Sequence, residues 1–468
     1  MAPLLALVYN FIRCYNLNMN LIKQYAGLPK QIYILCGVRI ITAMGAFMFS
    51  MSSLLLTSIL GLSEVATGYF MVVLSLAGVA GSFICGKLAD RYGRKKIMIY
   101  VFIVEIAALL IAGFVVYTKY VMVCMIFVDV CFSGFIPILA AIITDKTNES
   151  NRSESFSLLV FCINLGYSIG QIFAGLLFYN HTRWIFWGQG IAFLLTLILM
   201  GILVVDNYVP GSDALADGCS DDIEIAGTDD DKSKTDAAKS DVSESFGESR
   251  ITAENVEKLP DSPLKRNSFS LLFEDKALTL YLIAVIFMCF CYSQVNYLNP
   301  LMFANYFGVE KSSHWISHIW TVNGFACVLW SPILLPMMKK HNQIFNTGIA
   351  ALCYMVGLGA FYFITSESTL WVALVFTPIW TAGEVLLGTG ITVFVGERAP
   401  NGYRARFQSF YQLANGFGSC LGPITMGYFL IFNSYRSGWL LVSVLCVLSL
   451  GILIMSRIID KRQEYRLK

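Results

Sequence analysis

Long apolar runs separated by short polar breaks recur along almost the whole chain. A helix needs about 20 mainly apolar residues to cross the hydrocarbon core of a bilayer, and these runs have that length. Hydrophobic residues make up 56% of the 468 residues and charged residues only 14%. A soluble globular chain carries about 25% charged residues, so a soluble multidomain enzyme is excluded. The runs predict an all-α, multi-pass integral membrane protein.

Twelve membrane-spanning helices are predicted, six on each side of a long acidic segment. The predicted spans are 31–58, 64–88, 95–117, 120–144, 154–179, 183–206, 276–304, 315–336, 343–364, 370–396, 405–432 and 437–459. They divide the chain into an N-terminal tail (1–30), a first six-helix bundle (31–206), an acidic, largely disordered loop (207–275), a second six-helix bundle (276–459) and a C-terminal tail (460–468).

Charge is distributed unevenly along the chain. The stretch Asp206–Ser268 has sixteen acidic and seven basic residues, a net charge of −9, and the rest of the chain carries +11. Short loops on one side of the predicted membrane are rich in basic residues, and we call this side the basic face: Arg91, Arg94, Lys95, Lys96, Lys339, Lys340 and Arg398. Cytoplasmic loops of membrane proteins carry such an excess. Both termini and the acidic loop are therefore predicted to be cytosolic, with the chain in the plasma membrane.

The two halves carry a weak internal repeat. Five residues of the first half recur in the second at a constant separation of 252 positions. They are Asp145, Arg152, Gly166, Gly170 and Gly175, matched by Glu397, Arg404, Gly418, Gly422 and Gly427. Repeats of this kind predict two pseudo-symmetric bundles that enclose a substrate cavity and rock to open it to each side in turn.

The most specific motif lies in the predicted turn between the second and third spans and reads GKLADRYGRKK from Gly86 to Lys96. Gly86 permits close helix approach, Asp90 suits a helix amino terminus, and arginines supply charge-assisted hydrogen bonds. This motif resembles the signature loop of the major facilitator superfamily, which implies a transporter fold and a cytosolic gate. The gate residues implied by the resemblance are Gly86, Asp90, Arg91, Gly93, Arg94, Asp145, Arg152, Glu397 and Arg404. The alternatives are a basic loop that only sets topology and, for the Asp/Glu–Arg pairs, unrelated surface charges.

Four charged residues lie inside predicted spans, where a charge is costly unless it is paired or faces water. They are Glu384, Arg39, Asp129 and Glu105, the candidates for proton coupling or substrate contact. Glu384 is the deepest, roughly 20 Å from each end of its span at 1.5 Å per residue. Its Gly383-Glu384 step resembles that of bacterial drug:proton antiporters, which implies a carboxyl group that loads and releases a proton. A structural role stays open for each residue, most of all for Glu105.

Small residues spaced at three to five positions in the fifth and eleventh spans predict tight packing or hinges, because they let helices approach closely. These residues are Gly166, Gly170, Gly175, Gly418, Gly422, Pro423 and Gly427. In drug:proton antiporters of this superfamily a Gly-Pro pair belongs on the fifth helix, and in this chain Gln171 stands at the Pro position.

Amide and aromatic side chains within the spans suit a cavity for an amphipathic ligand. The cavity candidates are Asn164, Gln171, Tyr292, Asn296, Asn323, Trp380, Tyr411, Gln412 and Asn415. His314 and His318 have a spacing that could hold a metal, but no carboxylate lies near them in sequence, and no metal site is predicted. No nucleophile–base or metal constellation indicates an enzyme.

These features predict a proton-coupled secondary transporter that moves a small amphipathic organic solute by alternating access, with efflux as the leading direction. No Walker-type loop indicates direct use of ATP. The expected partners are the solute, protons and the lipid bilayer; we expect a monomer with no cofactor and no nucleic-acid partner. Two alternatives stay open: a proton-coupled symporter for uptake of a peptide, sugar or organic anion, and a transporter-like receptor or sensor that signals through the acidic loop.

Overall fold

A computed structural model describes residues 25, 27–148, 151–204, 268–399 and 404–466, without the side chains of 404–406 and 463–466. These residues form helices and no strand. The twelve long segments are α1 (Lys30–Ile59), α2 (Glu64–Tyr92), α3 (Arg94–Val115), α4 (Val121–Asp145), α5 (Arg152–Phe178), α6 (Arg183–Leu203), α7 (Lys276–Phe307), α8 (Val309–Met338), α9 (Gln343–Phe363), α10 (Glu367–Arg398), α11 (Arg404–Phe432) and α12 (Tyr435–Arg466).

Eleven of these segments are long and apolar enough to cross a membrane, by length and composition. The other long segment, α11, is a helix of 29 residues that carries Gln408, Gln412 and Asn415 among its apolar residues. Its position matches the eleventh predicted span. The all-α membrane fold predicted from the sequence is confirmed.

Two of the spans are broken near their middle, whereas the sequence predicted continuous helices there. The first span consists of Lys30–Met44, Phe47–Leu54 and a π-helical turn Leu55–Ile59. The seventh consists of Lys276–Ser293 and Leu298–Phe307. Non-helical backbone at membrane depth is tolerated where it is buried in protein or lines a cavity. The breaks therefore mark the part of each half where polar groups must be satisfied by other helices.

The helices pack as two bundles that meet mainly along two helix pairs. In the first half α1 packs against α5 and α6, and α4 packs against α2 and α3. In the second half α7 packs against α11 and α12, and α9 packs against α10 and α12. The halves meet where α5 contacts α8 and where α2 contacts α11. Side chains of α1, α2, α4, α6, α7 and α11 line the space between the halves.

The halves are joined at the face opposite the basic face, where α2 and α8 begin and α5 and α11 end. The Ser313 hydroxyl of α8 donates to the Gly175 carbonyl of α5 at 3.4 Å. The hydroxyls of Tyr69 on α2 and Tyr428 on α11 lie 2.9 Å apart. Tyr435 of α12 donates to the Glu64 carboxylate at the start of α2. We call this set of contacts the outer closure.

Two domain boundaries predicted from the sequence differ from the structure. The end of the segment predicted as a disordered loop contains a helix, Ser268–Glu274, followed by Asp275, which caps α7 by accepting from the Leu278 amide at 3.1 Å. The predicted C-terminal tail continues α12 to Arg466, and Asp460 is 1% exposed. Arg398 forms ion pairs with both Asp275 and Asp460, and these pairs hold the two segments in the folded bundle. Residues 1–24 and 26 of the predicted N-terminal tail, 205–267 of the acidic loop and 467–468 of the C-terminal tail lie outside the described residues.

Candidate functional site

Glu384 lies in the middle of α10 and is held by donors from two other helices. Its Oε1 accepts a hydrogen bond from the Tyr292 hydroxyl of α7 at 2.9 Å, and its Oε2 accepts one from the Asn323 amide of α8 at 2.8 Å. The same amide group donates to Thr381 Oγ1 at 3.0 Å, which fixes its orientation. The Cys327 sulfur lies 3.9 Å from Oε2. Both carboxylate oxygens are therefore satisfied at a depth where an unpaired charge is costly.

An aromatic series connects Glu384 to the first half of the molecule. Ring centroids lie 6.1 Å apart for Tyr292 and Trp380, 6.1 Å for Trp380 and Trp320, and 5.7 Å for Trp320 and Tyr167. Phe49 of α1 lies within 6.4 Å of Tyr167 and 6.2 Å of Trp320. These separations and tilts are those of favourable edge-to-face contacts. The series crosses between the halves at the depth of Glu384, so movement of one half changes its packing.

A cavity of about 240 Å³ lies between the halves. Side chains of α1, α2, α4 and α6 line it from the first half, and side chains of α7 and α11 line it from the second. Its wall is mainly apolar, with Met48, Phe49 and Phe132 among the lining residues, and Asp129, Tyr292 and Asn296 supply polar groups. Tyr292 contacts both the cavity and Glu384. The glutamate itself is half-buried and is not among the lining residues, so Tyr292 is the side chain that connects it to the cavity.

The other three intramembrane charges lie together in the first half. Arg39 of α1 is 7% exposed, and Glu105 of α3 is fully buried. Arg39 interacts electrostatically with Glu105, and Glu105 with Asp129 of α4. Asp129 is half-buried and lines the cavity, whereas Arg39 and Glu105 are not among the lining residues. The sequence identified these residues separately but gave no sign that they interact.

Gln171 was expected at the cavity, and the structure places it elsewhere. It is fully buried against the break in α1, where its amide donates to the Ala46 carbonyl at 3.4 Å and its oxygen accepts from the Ser50 hydroxyl. Gln189 of α6 completes the arrangement by accepting from the Met48 amide at 3.3 Å. These two glutamines satisfy backbone groups that the broken helix leaves without partners. Gln189 was not among the sequence candidates.

Of the other cavity candidates, Tyr292 and Asn296 line the cavity, and Asn323 and Trp380 lie beside Glu384. Asn164 donates to the Val160 carbonyl of its own helix at 3.0 Å. Tyr411, Gln412 and Asn415 lie on α11, nearer the basic face than the cavity residues Ser419 and Pro423. Cys327, beside Glu384, and Thr381, which accepts from the Asn323 amide, were missed, because an ordinary Cys and Thr in apolar spans give no signal in sequence.

The repeated glycines make two kinds of contact. A Cβ at Gly166 or Gly170 would lie 2.4 Å or 2.1 Å from a carbonyl oxygen of α1, and one at Gly418 would lie 2.3 Å from a carbonyl oxygen of α7. A Cβ at Gly422 would lie 2.0 Å from the Ser293 hydroxyl of α7. These positions pack helices within each half, as small residues do in membrane proteins.

The third glycine of each set, in contrast, lies at the contact between the halves. A Cβ at Gly175 would lie 2.4 Å from Ser317 Cβ of α8, and one at Gly427 would lie 3.1 Å from Val65 Cα of α2. Pro423 also lies at this contact, since its carbonyl oxygen would be 2.7 Å from a Cβ at Gly68. The two contacts correspond to each other in the internal repeat: Gly427 follows Gly175 by 252 positions, and Ser317 follows Val65 by the same separation.

The signature loop is ordered by an ion pair inside the first half. Arg94, at the start of α3, pairs with Asp145 at the end of α4 and lies 3.8 Å from Asp90. Gly93 joins α2 to α3 at φ 101°, a conformation that side-chain-bearing residues rarely adopt. Gly86 was expected to permit close helix approach, but a Cβ there would meet no atom within 4 Å. That expectation is wrong for this conformation, in which the outer closure joins the halves at the other face.

The remaining predicted gate residues make few contacts across the halves in this conformation. Arg91 packs over the Tyr92 ring at 5.3 Å, and Arg152 donates to the Thr147 carbonyl at 3.5 Å, both within the first half. Glu397 is exposed and lines a polar cavity at the basic face. The side chain of Arg404 lies outside the described residues. A gate that joins these residues across the halves stays a prediction for the opposite conformation.

The second half has its own ion-pair cluster at the basic face, which the sequence did not reveal. Arg398 lies 2.7 Å from Asp275 and also pairs with Asp460. Arg457 lies 2.6 Å from Asp460. The cluster joins the beginning of α7, the end of α10 and the end of α12. It explains why Asp275 and Asp460 are part of the folded bundle rather than of a loop and a tail.

Replacing Asp145 with asparagine is expected to destabilise the first half. The side chain of Arg94 is only 9% exposed, so loss of its carboxylate partner leaves a poorly solvated guanidinium. We expect the free energy of unfolding to fall by about 1–2 kcal/mol. The midpoint of thermal unfolding in detergent measures this. Glu367→Gln is the control, because Glu367 and its partner Lys311 are 65% and 51% exposed. An equal decrease in both variants would contradict a special role for the Arg94 pair.

Comparison with known proteins identifies the fold. The family model described as Major Facilitator Superfamily matches residues 35–423, most of both bundles and the segment between them. The chain belongs to the major facilitator superfamily. Members are membrane transporters rather than enzymes, which confirms the corresponding sequence predictions. The finer assignment to a drug:proton antiporter branch stays a prediction.

Bacterial relatives cover most of this superfamily member. An uncharacterized MFS-type transporter of Bacillus subtilis, YhjO, is 24% identical over 391 residues, 82% of each chain. A Na⁺, Li⁺, K⁺/H⁺ antiporter of Planococcus maritimus is 19% identical over 379 residues, 77% of this chain and 80% of that one.

Solved structures of low sequence identity share the fold. A nucleoside transporter, NupG, superposes with a TM-score of 0.67 at 12% identity, covering 92% of this chain and 99% of that one. A POT peptide transporter in complex with sulfate (E310Q mutant) superposes with a TM-score of 0.67 at 14% identity, covering 93% and 95%. At such low identities these structures establish only the fold.

Proposed function

We propose that this superfamily member is a proton-coupled secondary transporter that exports a small amphipathic organic compound by alternating access. The observation that carries the proposal is the position of Glu384 at mid-depth, bonded to Tyr292, which also lines the central cavity. A solute that displaces or reorients Tyr292 removes one donor from the carboxylate. Solute binding and proton binding at Glu384 are then linked through a single hydroxyl group.

The cavity supports an organic substrate. Its volume of about 240 Å³ exceeds the space that a bare alkali ion needs, and its wall is mainly apolar. The exposed ring of Phe49 and the Tyr292 ring offer π-faces, and Asp129 offers a negative charge. Aromatic faces attract organic cations at about 0.5–2 kcal/mol per contact. An amphipathic compound with a positive charge fits these groups best.

The arrangement of the halves supports a specific state in the transport cycle. The cavity lies on the basic-face side of the outer closure, since Met71, Leu74 and Ser419 line it and Gly68 and Pro423 close above it. Basic loops favour a cytosolic location for that face. In our proposal the structure is the inward-facing state, in which a solute enters from the cytosol.

Uptake of an organic anion is the less favoured alternative. Such a substrate requires a cation on the cavity wall, and Arg39, which packs over the Phe132 and Phe135 rings, is not itself among the lining residues. Uptake of a neutral peptide or sugar is a second alternative, and the direction of solute flux distinguishes it from export. Alkali-cation/proton exchange, the activity in the name of the Planococcus relative, is a further alternative. A receptor role through the acidic loop involves residues outside those described.

Proteoliposomes that contain the purified protein and an internal pH dye test the proposal. Ethidium, a fluorescent planar cation, is the first probe, followed by a panel of amphipathic cations, neutral peptides and sugars. Export coupled to protons predicts that an imposed pH gradient drives an amphipathic cation against its own gradient, with opposite proton flux. Proton flux in the same direction as the solute would favour symport. Proton movement on addition of Na⁺ or K⁺ alone would favour alkali-cation exchange. Loss of all activity on deletion of 210–265, in protein that still inserts normally into the membrane, would favour the receptor.

A further inference from the structure

Arg39, Glu105 and Asp129 interact electrostatically inside the membrane-spanning part of the first half, whereas Glu384 lies in the second half. They come from three helices, α1, α3 and α4. Glu105 is fully buried, Arg39 is 7% exposed, and Asp129 is half-buried at the cavity wall. We call them the first-half triad. Because only Asp129 reaches the cavity, it is the member through which the triad exchanges with water.

The triad is not satisfied by its protein surroundings. Among the residues that the structure describes, both carboxylate oxygens of Glu105 and one terminal guanidinium nitrogen of Arg39 have no hydrogen-bond partner. Arg39 instead lies over the Phe132 and Phe135 rings, 5.8 Å and 5.2 Å from their centroids. Burying a carboxylate without donors costs several kcal/mol. Glu105 therefore requires something that the protein does not itself supply.

A charge count indicates what is missing. With both carboxyl groups ionised the triad has one positive and two negative charges, so one positive charge is lacking. A single bound proton restores neutrality and removes the unpaired buried carboxylate. A metal cation fits less well, because hard cations require several oxygen ligands. Phe102, one turn before Glu105 on α3, packs against Phe135 with the ring centroids 5.0 Å apart and supplies no oxygen.

Other ionisable groups near the triad do not change this count. The thiol of Cys131 on α4 interacts electrostatically with Glu105 and with Cys85 of α2, and Cys36, three residues before Arg39 on α1, interacts with Cys162 of α5. After Arg183 at its start, α6 carries no ionisable side chain. Across the cavity the nearest titratable group among the lining residues is the Tyr292 hydroxyl. The triad therefore has one permanent cation, Arg39, and two groups that exchange protons.

We propose that the first-half triad is a second proton-binding site, separate from Glu384. Asp129 takes a proton from water in the cavity, the proton passes to Glu105, and Arg39 stays charged as the counter-ion. No other bond is made or broken. The inference rests on the proposed function in that it adds a second proton to the same cycle. Each half then carries one site, and two protons are taken up between the inward-facing and outward-facing states.

The proton count can be measured without knowing the solute. The linkage relation makes the slope of the logarithm of a conformational equilibrium constant against pH equal to the difference in bound protons. Tyr179 and Asn433 are exposed residues at the outer ends of α5 and α11, on opposite sides of the outer closure. Spin labels on a genetically encoded ketone amino acid at these two positions leave the thirteen native cysteines in place. Pulsed electron resonance in lipid nanodiscs then gives the populations of closed and open outer faces against pH.

The proposal predicts a slope of about two for the unmodified protein, about one for Glu105→Gln, and about one for Glu384→Gln. The Glu105→Gln, Glu384→Gln double variant is expected to show no pH-dependent transition. Asp129→Asn is the second test of the triad, in case Glu105→Gln fails to fold, and it should also lower the slope to about one. Glu367→Gln, on the exposed outer surface, is the control and should leave the slope at about two.

The outcomes separate this inference from the proposed function. A slope unaffected by both Glu105→Gln and Asp129→Asn, with folded protein, overturns the triad as a proton site. A slope that is lowered by these variants but unaffected by Glu384→Gln supports the triad and contradicts the role given to Glu384. A wild-type protein whose outer face shows no pH dependence overturns both.

Discussion

Replacement of Glu384 with glutamine is expected to abolish proton-driven transport while the protein remains folded and able to exchange solute. Glutamine has nearly the same volume and still accepts a hydrogen bond from Tyr292, but it cannot bind and release a proton. Its amide group also faces the Asn323 amide donor, so one of the two bonds to the carboxylate is lost. We expect gradient-driven accumulation to fall by at least about 100-fold, in the range found when a proton-transferring group is removed.

The measurement compares two assays on the same proteoliposomes. Accumulation driven by a pH gradient should be lost, whereas exchange of labelled for unlabelled solute at equal pH should persist, because exchange needs no net proton movement. Glu367→Gln, which removes an exposed carboxylate of the same kind, is the control for the loss of a negative charge. Full retention of gradient-driven accumulation in Glu384→Gln would remove this residue from the coupling mechanism. Loss of both gradient-driven accumulation and solute exchange would indicate a structural role for Glu384 instead.

The architecture was predictable from the sequence because the membrane imposes it. The bilayer fixes the length of an apolar helix, so the spans could be predicted from the apolar runs, and eleven of the twelve helices are long and apolar enough to cross a membrane. The same physics identified Glu384, since burial of a carboxyl group so far from either end of an apolar span is costly and marks a candidate functional residue. The separation of 252 positions between matched residues also revealed the two halves before the structure did.

The partners within the site were not predictable, because they depend on how the helices pack. Tyr292, Asn323 and Glu384 come from three helices and are separated by up to 92 positions. The break in α1 gives no sequence signal of its own beyond Gly45, and it becomes understandable only when Gln171 and Gln189 are seen against it. For the same reason the Asp275 and Asp460 pairs with Arg398 could not be distinguished from ordinary charges beside a membrane.

The role of the repeated glycines follows partly from their spacing in the sequence and partly from how the helices pack. Their spacing predicted close packing, but only the structure separates those that pack within a half from Gly175 and Gly427, which meet the other half at the outer closure. A side chain at such a position obstructs one conformation of the transporter and not the other. Substitution there is expected to change the conformational equilibrium rather than the stability of either half.

Gly427→Leu is therefore expected to shift the protein toward a state in which the outer face is open. A Cβ at this position would lie 3.1 Å from Val65 Cα and 3.2 Å from the Glu64 carbonyl oxygen, both backbone atoms of α2 that cannot move aside alone. Separation of the halves relieves these contacts and also releases the nearby Tyr297 hydroxyl, 2.7 Å from the Cβ position, from its hydrogen bond to the Glu64 carbonyl. Overpacking costs about 1–3 kcal/mol, which corresponds to a shift of about 5- to 150-fold in the ratio of the two states.

The distance between spin labels at positions 179 and 433 measures this shift directly, with longer distances expected for Gly427→Leu at every pH. Gly416→Leu is the matched control on the same helix, because a Cβ at Gly416 would meet no atom within 4 Å. Transport should fall in Gly427→Leu, since each cycle must pass through the closed outer face, and remain near normal in Gly416→Leu. An unchanged distance distribution in folded Gly427→Leu would mean that α2 and α11 separate too little during transport for this contact to control the cycle.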